Sequence, residues 1–361
     1  MVQTRTVKIH LTESGEYLGV RANEFFLNDK KRKEKAKWDF EQQQISEIVL
    51  KAGNLVSTNA LETALEFKIS MVITRWNGEP IGILKALDDD SHVETRINQL
   101  ESVKNGVGIE IAKKIVYAKL EGQNQVLRRS GLRQLDLMRI KDKINHAEGS
   151  NLTTIRKQLL PIESVNSARY FKQVFQLFPE WLRVEHRRTK GAYDGLNNLF
   201  NFGYSILFWK CYYAVLRAKL EPYLGFMHSN QFGKPSLVCD IQEFYRYLID
   251  DCLIQFGEKL RKSSFRRVYF DYANKRKKYP RLFLKEEKHR KLEKCLHDCF
   301  EVKTEIPRIK GVTHFKRQTI ETLINEEVLL LAKYFRNERE NWIPRIVNIN
   351  QPTTNHKNTV F

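Results

Sequence analysis

Between residues 6 and 87 apolar and polar positions alternate in short runs. Val7-Lys8-Ile9-His10-Leu11 switches side at every residue, Glu13-Ser14-Gly15-Glu16 supplies a turn, and Tyr17-Leu18-Gly19-Val20 takes the run up again, so a strand, a turn and a strand are predicted. Ile48-Val49-Leu50 predicts another short strand. Ser70-Met71-Val72-Ile73-Thr74 and Pro80-Ile81-Gly82-Ile83-Leu84 flank Asn77-Gly78, whose tolerance of positive φ predicts a tight hairpin. Ser57 or Thr58 can cap a short helix running to Phe67. After Asp88-Asp89-Asp90 the period changes to that of a helix. Ile97, Leu100 and Val103, then Ile109, Ile111, Ile115, Val116 and Leu120, then Leu132, Leu135, Leu137, Ile140 and Ile144, are spaced as helix faces. The pattern continues to about Tyr334, with breaks expected at Gly149, Pro161, Pro179, Pro235, Pro280 and Pro307.

The predicted architecture is α+β and mainly α. A small β-rich domain occupies residues 1–88, a linker 89–95 and a larger all-helical domain 96–350, and 351–361 form a polar tail. No repeat of 20–50 residues is evident. A length of 361 residues lets each domain bury its own core.

Composition sharpens this. Hydrophobic residues at 42% and charged residues at 29% exclude a disordered or collagen-like chain. The most apolar stretch, Leu196 to Leu220, is interrupted by Asn197, Asn198, Asn201, Lys210 and Arg217, so no membrane span is expected. Met1-Val2-Gln3-Thr4-Arg5 lacks an apolar signal core, which points to the cytoplasm. The five cysteines are odd in number and have no CxxC spacing, against a disulfide framework.

The 62 Lys and Arg against 43 Asp and Glu leave a net charge of +19. That excess implies a polyanionic partner, most simply nucleic acid. It is concentrated between Lys259 and Arg290, where aromatics are interleaved (Phe265, Tyr269, Phe270, Tyr272, Tyr279). Such a mixture can neutralise phosphates and stack on bases, or can be a solvated basic helix with its rings on the core. A second run, Lys30 to Lys37, reads as an exposed loop.

Three segments carry polar groups among apolar ones. In Pro161-Ile162-Glu163-Ser164-Val165-Asn166-Ser167-Ala168-Arg169-Tyr170-Phe171, the residues Glu163, Asn166 and Tyr170 share a helix face, and Glu163 follows a proline as in a first turn. Leu224-Gly225-Phe226-Met227-His228 puts a histidine at the end of an apolar stretch. After Gly233 and Pro235, Ser236 can cap a helix in which Asp240 and Glu243 point the same way. Each acid can also be read as complementing a helix dipole, and the histidine as a residue at a helix end. Taken together, carboxylates with one imidazole suit a hard divalent ion, Mg²⁺ or Mn²⁺. A zinc reading of Cys295, His297 and Cys299 lacks an evident fourth ligand.

In this order and spacing the segments resemble the signature of the CRISPR-associated integrase, the DNA nuclease of the spacer-acquisition module. Its motifs correspond here to Glu163 with Ala168-Arg169-Tyr170-Phe171, to Asn197, Asn201, Gly203 and Tyr204, to Leu224-Gly225 with His228, and to Ser236-Leu237, Asp240, Glu243 and Arg246. Ser164 stands where that family usually has a glycine. The resemblance implies an amino-terminal β-sandwich-like domain and a helical catalytic domain. It also implies a metal held by Glu163, His228 and Glu243, with Asp240 as support or alternative ligand. The implied reaction is attack of a DNA 3′-hydroxyl on a phosphodiester of a repeat array. Implied partners are double-stranded DNA, a second copy of the chain and a small dimeric adaptation protein. Candidate DNA contacts are Arg169, Tyr170, Arg187, Arg188, Arg266 and Arg267, each also readable as an ordinary surface or packing residue. A structure-specific nuclease or mobile-element integrase would share the metal chemistry, and a noncatalytic basic scaffold would use the acids only as caps.

Overall fold

The computed structural model describes residues 6–75, 80–86, 93–270, 279–305 and 317–349. The chain divides into two compact units, residues 1–91 and 92–361.

The first unit is built on strands β1 (Thr6–Leu11), β2 (Tyr17–Arg21), β3 (Glu24–Asn28), β4 (Glu34–Asp39), β5 (Gln44–Lys51) and β6 (Leu55–Val56), helix α1 (Thr58–Glu66), and strands β7 (Ser70–Thr74) and β8 (Pro80–Leu84). They form two four-stranded sheets, ordered β1-β5-β7-β8 and β4-β3-β2-β6. Ile9, Leu18, Phe25, Ile48 and Met71 from both sheets share one core with Ala60 and Ala64 of α1, the arrangement of a sandwich. Ser57 caps α1, its hydroxyl accepting from the Ala60 amide. The turn at Gly15 has φ +86°, a backbone state that glycine adopts without steric cost. Strands β7 and β8 pair antiparallel with Met71 opposite Leu84, although Asn77-Gly78 lies outside the described residues.

The basic run Lys30 to Lys37 is exposed loop, as expected, only as far as Lys33. Residues 34–39 are not loop but edge strand β4, and its lysines are matched: Lys35 pairs with Glu16 at 2.6 Å and Lys37 with Glu24 at 2.9 Å. A charged edge strand blocks edge-to-edge pairing between chains, so here lysines mark a strand rather than its absence.

The second unit contains helices α2 (Val93–Ser102), α3 (Val107–Arg129), α4 (Leu137–Asn145), α5 (Leu152–Val174), α6 (Gly195–Arg217), α7 (Ser236–Glu243) and α8 (Arg246–Gly257). After these come the ribbon β9 (Phe265–Phe270) and β10 (Tyr279–Leu284), helix α9 (Glu286–Glu301), the pair β11 (Lys303–Glu305) and β12 (Arg317–Thr319), and helix α10 (Ile320–Phe335). The body is thus mainly helical with two small ribbons, and β9 and β10 take up part of the basic stretch that could have been a helix. One core joins the helices through Ile115, Leu159, Phe200, Leu207, Ile241 and Leu253. No described helix is long and apolar enough to cross a membrane.

Three local differences bear on the site. Pro161 does not break the chain: α5 runs through it, so Glu163 sits in mid-helix and not in a first turn. An interior proline forfeits one backbone hydrogen bond. Here Asn151 caps the helix, and Ile155, Leu159, Tyr170 and Val174 anchor it in the core on both sides of the proline. Helix α2 turns Ile97 and Leu100 outward and Thr95, Gln99 and Ser102 inward, opposite to its apolar spacing. The reason is polar: Gln99 accepts from the Glu221 amide and donates to the carbonyls of Glu221 and Leu224, fixing the approach to His228. Ser236, finally, is the first residue of α7 and not its cap, and its hydroxyl donates to the Ser229 carbonyl at 2.9 Å.

Candidate metal centre

Helices α3, α5 and α7 bring Lys119, Glu163 and Glu243 together. The Lys119 ammonium pairs with Glu163 Oε1 and lies 2.9 Å from Glu243 Oε2. All three side chains are largely enclosed, at 13%, 17% and 5% exposure. Glu243 Oε1 is 2.7 Å from Arg246 Nη1 and 3.9 Å from His228 Nε2. Glu163 Oε1 also accepts from the Ser167 hydroxyl, which is in turn bonded to Gln123.

The segment carrying His228 is held from two sides. Asp240, fully buried on α7, accepts from the amides of Phe226, Met227 and His228 and lies 2.7 Å from His228 Nδ1. Both its oxygens are thereby engaged with this segment, so Asp240 is not complementing its own helix. Arg156, on α5, donates to the carbonyls of Gly225, Phe226 and His228. Gly225 is required by close approach: a Cβ there would lie 2.6 Å from the Ser236 Cβ and 2.7 Å from its backbone carbon. With Nδ1 held by Asp240, Nε2 is the ring nitrogen left on the side of Glu243.

Charge follows from this geometry. Burial works against ionised Glu243, but the Arg246 guanidinium and Lys119 ammonium more than offset it and hold its carboxyl down at about 2. Burial likewise opposes the Lys119 charge, and Glu243 and Glu163 outweigh it, keeping the ammonium above the usual lysine range. Two carboxylates and an imidazole nitrogen are the donor set of a hard divalent ion. Glu243 Oε2 also accepts no aligned hydrogen bond despite its charge contact. The residues therefore fit such an ion. Among the described residues, no three His, Cys, Asp or Glu side chains already stand together as ligands. In this cluster a lysine occupies the space between the two acids.

The remaining expected residues are dispersed. Arg169 is exposed and lines a groove of about 830 Å³ between α4 and α5 with Arg133, Arg139, Lys143 and Lys172. Tyr170 is fully buried and donates to Asp250 Oδ2 at 2.7 Å, so it is not available for stacking on DNA. Tyr204 donates to the other oxygen of the same carboxylate. Arg187 is tied to Asn197 and Asn201 of α6 and lies over the Tyr204 ring, which makes it a fastener of the 186–189 segment. Arg188, Arg266 and Arg267 are exposed. Cys295 faces Cys252 at 3.2 Å and Cys299 lies 3.9 Å from the Leu248 carbonyl, so these thiols pack α9 on α8 and do not gather with His297 for zinc.

Sequence reasoning missed Lys119 and Arg156. For Lys119 the signal was there: it interrupts the buried face formed by Ala112, Ile115, Gln123 and Val126. Arg156 stands seven residues before Glu163, two turns along the same helix.

The sequence matches the family described as CRISPR associated protein Cas1 over residues 9–298. It is 29% identical over 221 residues to the CRISPR-associated endonuclease Cas1 2 of Pyrobaculum aerophilum, covering 60% of this chain and 72% of that protein. The fold is similar to that of a casposase bound to an integration product, with a TM-score of 0.70 and 19% identity over 93% of this chain and 92% of the other. It is also similar to a chain of a partial Cas6-RT-Cas1–Cas2 complex, with a TM-score of 0.67 and 20% identity over 94% and 98% of the two chains.

Proposed function

The chain belongs to the Cas1 family of CRISPR-associated proteins, and from that membership and its acid cluster we propose that it is a metal-dependent DNA integrase and endonuclease. In this reading it acts in the cytoplasm and inserts short DNA fragments into a repeat array. The observation that carries it is that Glu163 of α5 and Glu243 of α7 converge on Lys119, with His228 Nε2 3.9 Å from Glu243 and the histidine fixed by Asp240. A Mg²⁺ or Mn²⁺ ion held by those three would polarise the phosphodiester and stabilise charge on the leaving 3′-oxygen.

The chain's own residues do the rest. Asp240 and Arg156 hold the 225–228 segment so that Nε2 of His228 stays directed at Glu243. Arg246 keeps Glu243 ionised and oriented. The cations of the α4–α5 groove, with Arg188, Arg266 and Arg267, face solvent where a DNA backbone can be laid, and holding both DNA ends in place supplies much of the rate. No protein nucleophile is needed, because the attacking group is the fragment's 3′-hydroxyl. The neighbour with an integration product supports strand joining, and the Cas2-containing assembly supports a small adaptation protein as partner. In this reading the β-rich domain of residues 1–88 forms the homodimer.

The test is a supercoiled plasmid incubated with Mn²⁺ and a short duplex bearing free 3′ ends. The wild type should join duplex to plasmid. Glu163→Ala and His228→Ala should lower joining at least about a hundredfold while DNA binding persists, as loss of a transition-state contact implies. Nicking without joining would indicate a nuclease. Joining that survives both substitutions would sink the proposal.

A further inference from the structure

Lys119 stands where the two acids converge, and no step of the proposed reaction calls for it there. Its ammonium is shared by Glu163 and Glu243 within an enclosed site, and the aligned hydrogen bond goes to Glu163 alone. Arg246 already faces Glu243 on its other oxygen, so Lys119 is the cation that lies between the two acids and the one an ion placed there would replace. A lysine and a divalent ion cannot fill one space between two carboxylates. We propose that Lys119 is a resident counter-ion that holds Glu163 and Glu243 together in the metal-free protein, and that the metal enters by displacing its ammonium. The inference rests on the metal centre proposed above.

Three consequences follow from the chemistry. Without the lysine Glu163 would lose its ion pair while Arg246 still faced Glu243, so Lys119 is what ties the two acids to each other. The lysine competes with the ion, so affinity for metal is lower than the ligand set alone would give. Its four-carbon stem lets the ammonium swing away without movement of α3, so the backbone need not change on loading. Lys119 is therefore a positioning residue that sets the metal threshold, and it is not itself a ligand.

Mn²⁺ titration of the full-length protein, followed by the loss of the free-ion signal in electron paramagnetic resonance, tests this without reading activity. Lys119→Met should bind Mn²⁺ about tenfold more tightly than the wild type, since one charged hydrogen bond no longer has to be broken. Its metal-free form should melt at lower temperature and recover on addition of Mn²⁺. Unchanged or weaker binding by a folded Lys119→Met would overturn the inference. A measurement on the unaltered chain covers the case in which that variant does not fold. Reductive methylation with peptide mass spectrometry should find Lys119 slow to react without metal and several-fold faster with Mg²⁺, and equal rates would overturn the inference. If the wild type takes up no Mn²⁺ at all, the metal centre itself is wrong and this inference falls with it, which separates the two failures.

Discussion

Single buried groups carry opposite electrostatic signs in this protein, and the contrast is measurable. Asp250 is enclosed, and burial pushes its carboxyl up to about 6 even though the Tyr170 and Tyr204 hydroxyls both donate to it. An acid raised on folding favours the native state while it is protonated, and that contribution disappears as pH rises from about 4 to about 6. The expected loss across this window is about 3 kcal/mol. Urea denaturation at a series of pH values should show the slope in the wild type, and Asp250→Asn should flatten it. A slope unchanged by the substitution would refute the assignment. Glu243 runs the other way: held at about 2, it stabilises the fold above the usual carboxylate range and loses that effect only in strong acid.

At the scale of elements, α5 ties the site together. It carries Glu163 on the face toward α3, and one of its residues, Arg156, spans to the 225–228 segment and takes three of its carbonyls. Arg156→Met should free that segment, weaken Mn²⁺ binding about ten- to a hundredfold, as changes to groups that orient metal ligands typically do, and leave affinity for DNA unaltered. A titration giving wild-type Mn²⁺ affinity would show that Asp240 suffices alone. Why was so much of this visible beforehand and this arginine not? Alternation marked β1 and β2, short apolar runs and a turn signal marked β5, β7 and β8, and helical spacing marked the long helices, because those patterns follow from which faces are buried. Glu163, His228 and Glu243 stood out as polar groups in apolar runs. Strand β4 was hidden by its lysines, and α2 was oriented wrongly because Gln99 buries itself by hydrogen bonding to another segment's backbone. Arg156 makes its contacts some seventy residues away along the chain, a relation no local pattern encodes.

For the molecule as a whole the governing quantity is charge. The net +19 is not smeared evenly: in the first unit Lys35 and Lys37 are matched by acids, whereas the α4–α5 groove collects five cations, Arg169 among them. Duplex DNA affinity should therefore fall steeply with salt. Replacing Arg169 and Lys172 by alanine should make the log–log slope shallower by about 2 if each neutralises one phosphate. Fluorescence anisotropy across a salt series gives that slope, and an unchanged value would place the DNA elsewhere.

The wedge of Lys119 between acids drawn from α5 and α7 has a further consequence for the chain during its synthesis. Lys119 and Glu163 leave the ribosome well before Glu243, so a nascent or clipped polypeptide ending ahead of α7 has only one of the two acids that Lys119 bridges in the folded chain. Such a fragment keeps the basic residues of the α4–α5 groove in its sequence but lacks the second acid. The proposed ligand set is whole only once the chain extends through α7.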